Sequence, residues 1–151
     1  MVIKRRRSAI LLADRFAAAF TLVELMVVIL IVAILAAVAL PVARGRVDAA
    51  KWSEGKAIMG SIATSIRAWC AEKGVGYATA PSDFGELGFA TGDLTGTYFT
   101  DADFEFTVVA PVVTPPQFTV TCTPGSRANA PTNPLSYTLT GEPDGTMTWS
   151  P

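Results

Sequence analysis

From Phe20 to Leu40 the chain is apolar, and Glu24 is its one charged residue. About 20 such residues in a helix cross the ~30 Å hydrocarbon core of a bilayer. A helix is the form in which one segment can satisfy its own backbone there. A carboxylate in that setting is costly and is kept where it has a role and a partner. Glu24 is therefore a candidate functional residue by position alone. Lys4, Arg5, Arg6 and Arg7 precede the run, which holds that end in the cytoplasm and sends the remainder across. A secretory signal has a shorter apolar region, of about 7–15 residues, with small residues after it. Here the small residues Ala17, Ala18 and Ala19 come before it. A plain membrane anchor fits the same residues.

The stretch Ala19-Phe20-Thr21-Leu22-Val23-Glu24-Leu25 resembles the prepilin processing site of type IV pilins and type II secretion pseudopilins. Leader, phenylalanine, glutamate, apolar run and Pro41 fall in register with that family over about the first third of the chain. The resemblance implies cleavage between Ala19 and Phe20 by a prepilin peptidase, which also methylates the new amine. It further implies assembly of a homopolymer through the N-terminal helices, with Glu24 and Pro41 as assembly residues. The family usually has glycine before the cut; Ala19 is small enough for a tight peptidase site.

Charge is distributed unevenly. Residues 1–19 hold five of the twelve Lys/Arg and one of the thirteen Asp/Glu, so the rest carries seven against twelve. An acidic head repels phosphate backbones, and no nucleic-acid partner is expected. The chain has no histidine, which removes the commonest general base and many metal sites. No enzyme activity and no cofactor are expected.

Past the apolar run, Pro41 removes a backbone hydrogen bond and predicts a kink. Ala33 and Ala37 are spaced to let helices approach closely. Arg44, Arg46, Asp48 and Lys51 mark the exit from lipid. Ile58, Ile62, Ile66 and Trp69 then form one amphipathic stripe, and Lys73-Gly74 is a helix stop. One helix is expected from Phe20 to Lys73. Residues 74–97 read as a loop with one helical turn at Ser82–Leu87. Alternation then predicts strands around Phe104–Val108, Phe118–Cys122, Tyr137–Leu139 and Met147–Trp149, the last two joined by a turn at Gly141–Gly145. Proline-rich Ala110–Pro116 and Pro124–Pro134 are connections. The fold class is α+β: a long N-terminal helix, membrane-spanning in its first half, packed on a small antiparallel sheet. Three regions follow: a leader at 1–19, removed; a transmembrane and assembly region at 20–45; and a head at 46–151.

Cys70 continues the helix stripe and Cys122 continues a strand face, so both point at the same core. Outside the cytoplasm a disulfide is the expectation, with two buried free thiols as the alternative. Asp101, Asp103 and Glu105 alternate, as on one face of a strand edge near Asp93. Calcium takes such oxygens, and the pseudopilin resemblance implies a calcium site in some heads. Asp101 and Asp103 match no defined loop pattern, however, and a solvated acidic face is the simpler reading. No metal is expected.

These residues, with the resemblance, lead to one functional expectation. The chain is a structural subunit held in the cytoplasmic membrane with its head outside, then polymerised by assembly machinery into a pilus. A pseudopilus subunit and an adhesive tip subunit are the alternatives.

Overall fold

A computed structural model describes residues 20–151. The expected leader, Ala19 included, lies outside the described residues. Helix α1 runs Leu22–Lys73. A 3-10 turn at Asp101–Asp103 leads into β1 (Phe104–Val108), followed by β2 (Phe118–Cys122), β3 (Tyr137–Gly141) and β4 (Met147–Ser150). The strands form an antiparallel meander in the order β1-β2-β3-β4. Contacts divide the chain into two compact units, one reaching Ala39 and the other Leu40–Pro151. The described part of the first unit is helix from Leu22 onward. α1 begins two residues later than expected because Thr21 serves as its cap.

The head unit is built on a stripe of α1. Trp52, Gly55, Met59, Ile62, Ile66 and Trp69 are buried at alternating spacings of three and four, the repeat of one helix face. Ile58, expected on that stripe, sits at its rim and is only partly buried. Met59 takes the central place instead, since its unbranched chain fits irregular gaps.

Gly55 has a steric reason. A Cβ there would lie 2.8 Å from Cζ of Phe99. That ring is fully buried and packs on Trp52 and Phe104 at centroid distances of 5.3 and 5.9 Å. A Cβ at Gly60 would meet nothing within 4 Å. Helix propensity favours alanine over glycine by about 1 kcal/mol, whereas overpacking costs about 1–3 kcal/mol. Gly60→Ala is therefore expected to raise the thermal midpoint and Gly55→Ala to lower it. Thermal circular dichroism checks the opposite signs; a rise in both would mean that Phe99 has room to move.

In the sheet, Phe104, Phe118, Val120, Cys122 and Leu139 face the helix and are buried. Gly141 pairs with both Phe118 and Met147, so it belongs to β3 and the hairpin loop moves one residue on, to 142–146. There the Glu142 N–H donates to the Thr146 carbonyl at 2.9 Å. β4 is exposed throughout. Met147 and Trp149 thus lie outside the core that their alternation predicts, on a strand that among the described residues pairs with β3 at the sheet edge. Segments without periodicity supply the rest of the core: Leu87, Leu94, Phe99 and Val112. Residues 84–88 form turns, after a bend at Asp83, rather than a helical turn.

Candidate functional site

Thr21 and Glu24 cap the start of α1 reciprocally. The Glu24 N–H donates to Thr21 Oγ1 at 3.2 Å, and the Thr21 N–H donates to Glu24 Oε2 at 2.9 Å. The Thr21 hydroxyl donates to the same Oε2 at 2.8 Å. Such a capping box satisfies two of the N–H groups that a helix start leaves without partners. Its Thr-x-x-Glu signature is legible in the sequence, in the same residues that carry the cleavage motif and the charge. Glu24 Oε1 accepts no hydrogen bond from the described residues, so half of the carboxylate is open to another donor.

Around this cap the apolar surface is bare. Phe20, Leu22, Leu25, Leu30, Leu35 and Leu40 are all more than half exposed. α1 is long and apolar enough to cross a membrane by length and composition. Pro41 lies inside the helix, and α1 continues through it to Lys73.

The head's own anchors are two buried carboxylates. Asp48 lies four residues before Trp52 on the buried stripe, an acid on an apolar face that the sequence could have flagged. Its Oδ2 accepts from Thr132 N–H at 3.2 Å, Thr132 Oγ1 at 3.0 Å and Asn133 N–H at 3.1 Å. Lys51 Nζ is 3.8 Å from Oδ1. Burial works to raise the Asp48 pKa, but these hydrogen bonds and the Lys51 charge outweigh it and lower the value. The carboxylate thereby fixes the proline-rich β2–β3 connection to the helix.

Asp103 fixes the other end of that connection. Its Oδ1 accepts from Gly125 N–H, Ser126 N–H and Ser126 Oγ at 3.1, 3.1 and 2.8 Å. Oδ2 accepts from Thr100 N–H at 2.8 Å and Thr100 Oγ1 at 3.2 Å. Asp101 accepts from Gly92 N–H and from Thr95 Oγ1. The calcium candidates thus face hydrogen-bond donors, whereas a cation needs a shell of other oxygens. Among the described residues no group of three or more His, Cys, Asp or Glu is placed to hold a metal. Nor do Asp101 and Asp103 share a strand face with Glu105, because they form the 3-10 turn before β1.

Cys70 and Cys122 both lie in the head core, as their spacing predicts, but as free thiols. The expected Cys70–Cys122 bridge is not formed. Burial raises the Cys70 pKa. Burial, aided by the nearby Asp103 charge, pushes Cys122 up to about 12. Disulfide chemistry proceeds through the thiolate, which a core of this kind suppresses.

Residues 14–40 match the family model described as the prokaryotic N-terminal methylation motif. The chain therefore carries the leader signature of type IV pilins and pseudopilins. The match spans Ala19, Phe20 and Glu24 and ends one residue before Pro41. No curated protein matches the chain, and no solved structure does.

Proposed function

We propose that this chain is the structural subunit of a type IV pilus, polymerised through its N-terminal helices into an extracytoplasmic filament. The observation that carries the proposal is the capped start of α1, apolar except for Glu24, exposed in the single chain and covered by the methylation motif. Exposed apolar surface of that extent needs another medium or partner to cover it. A bilayer covers it before assembly, and the same helices of neighbouring copies cover it in a filament. The head supplies an independent core, with its own helix stripe and sheet. The reading assigns no reaction to the chain, and its processing partner is a prepilin peptidase and methyltransferase.

In this reading residues 1–19 are removed, 20–45 serve the membrane and the assembly, and 46–151 form the head. Mass spectrometry of assembled material is expected to find an N-terminus at Phe20 bearing one added methyl group. Electron microscopy of the same fraction is expected to show filaments whose dominant component is this chain. A mature chain that retains Lys4–Arg7 would defeat the processing step. Filaments in which it is a trace component would defeat the structural role.

A further inference from the structure

A pocket of about 300 Å³ opens at the first turns of the head unit, lined by Leu40, Pro41, Arg44, Gly45, Asp48, Thr132 and Asn133. Its lining is graded. Leu40 and Pro41 close the apolar run, Arg44 follows one turn later, and the facing wall is the polar β2–β3 connection. Gly45 puts no side chain into the space, and a Cβ there would meet nothing within 4 Å. The Arg44 guanidinium and the Asn133 side-chain amide make no hydrogen bond or ion pair with the described residues. Asp48 is the one acid in the lining. Its Oδ2 is taken up by Thr132 and Asn133 and its Oδ1 lies beside Lys51, so Arg44 is left as the uncompensated charge.

We infer that this pocket seats the phosphodiester headgroup of an outer-leaflet phospholipid. The inference rests on the reading that Phe20–Leu40 lies in the bilayer. Arg44 is four residues past Leu40, or about 6 Å at the helical rise. The headgroup layer adds roughly 5–7 Å to each side of the hydrocarbon core, so the guanidinium falls at phosphate depth. Arginine pairs with phosphate through two parallel N–H donors, and the Asn133 amide adds a third. Leu40 and Pro41 then meet the glycerol and upper acyl carbons. A cation on the outer side of a membrane helix runs against the usual bias of basic residues toward the cytoplasm, and a headgroup gives this one a partner. Bound in this way, a lipid would set the height at which the head waits above the membrane before assembly.

The test uses the full chain in detergent micelles titrated with phosphatidylglycerol, with bound lipid counted by native mass spectrometry. Diacylglycerol of the same acyl chains is the phosphate-free comparison. One phosphatidylglycerol is expected to bind in clear preference to diacylglycerol. Arg44→Gln should weaken it about fivefold, the usual scale for one basic residue at a lipid surface. Gly45→Leu fills the pocket without altering charge and should weaken it by a similar factor. Arg46→Gln removes an equal charge outside the lining and should change binding less than twofold. Equal losses from Arg44→Gln and Arg46→Gln would reduce the site to diffuse charge attraction and overturn the inference. Full displacement by millimolar inorganic phosphate would assign the pocket to a free anion instead. Unchanged lipid binding by Arg44→Gln, with reduced assembly, would assign Arg44 to a neighbouring copy. Washing membranes with alkaline carbonate separates the two levels. A chain that stays in the membrane yet shows no lipid preference sinks this inference alone, whereas a chain that washes off sinks the membrane reading beneath it.

Discussion

Glu24→Gln is expected to stop filament assembly as completely as Glu24→Ala, while leaving membrane insertion and leader cleavage intact. Two roles compete for this carboxylate, and the pair of variants separates them. Within one chain it caps α1 by accepting from the Thr21 N–H and hydroxyl through Oε2. Glutamine at this position serves a capping box as well as glutamate does, so a local cap survives Glu24→Gln and fails only in Glu24→Ala. In the proposed filament the carboxylate also meets the positive amine that cleavage creates on Phe20 of a neighbouring copy. Oε1, which has no donor among the described residues, is the atom available for it. In low dielectric an amine left without its counter-charge is far costlier than in water, and a polymer repeats the loss at every subunit. Neutralising the charge therefore acts on assembly, with little effect on the isolated helix. Glu24→Asp should be intermediate, since its shorter side chain keeps the charge but not the reach. Filament yield is read by electron microscopy at matched subunit levels. Normal filaments from Glu24→Gln alongside none from Glu24→Ala would make this residue a helix cap and nothing more.

That Glu24 carries two roles is only half visible in the sequence, and the same local motif accounts for a second difference between sequence pattern and structure. Thr21-x-x-Glu24 and Thr100-x-x-Asp103 are both a hydroxyl followed three residues later by an acid, the signature of a capped helix start. In the second case Asp101, Asp103 and Glu105 alternate as a strand would, but the Asp103 N–H donates to the Thr100 carbonyl at 2.9 Å and closes a 3-10 turn first. A period of two over three residues is weak beside a formed hydrogen bond. The strands themselves were legible because each carries apolar residues on one face over four or five positions, with proline-rich breaks between. The helix was legible for its length, and its stripe was misplaced by one residue at Ile58 because isoleucine and methionine are equally apolar on paper. Phe99, Leu87, Leu94 and Val112 lie in segments with no period at all, so nothing local announces their burial. The two carboxylate anchors belong to the same class. An acid on a buried stripe, as at Asp48, signals that a loop from elsewhere must bring donors to it, though not which loop.

Asp103→Ala is expected to destabilise the head by about 3 kcal/mol, because buried donors left without an acceptor cost about 1–3 kcal/mol each and water reaches some of those at Gly125 and Ser126. For a unit of this size that is a fall in thermal midpoint of roughly 10 °C. Asp103→Asn keeps the shape but turns an amide donor toward one of the two donor sets, so it should lose part of the same stability. Acid separates charge from shape. Burial works to raise the Asp103 pKa, and the hydrogen bonds from Thr100 and Ser126 outweigh it, so the folded value lies below the ordinary 3.8. A group with a depressed folded pKa contributes its full stability above the unfolded value and loses it as pH falls through the folded one. The wild-type head should therefore hold its midpoint near neutrality and lose it below about pH 4, with Asp48 adding to the loss in the same direction. Asp103→Asn has no proton to take up at this position, so its midpoint should fall less steeply and the gap to wild type should narrow with acidification. Thermal circular dichroism of the detergent-solubilised chain from pH 7 to about 3 reads this directly. A gap that stays constant across that range would show that Asp103 acts through its shape alone, and that the donors of Thr100 and Ser126 do not depend on its charge.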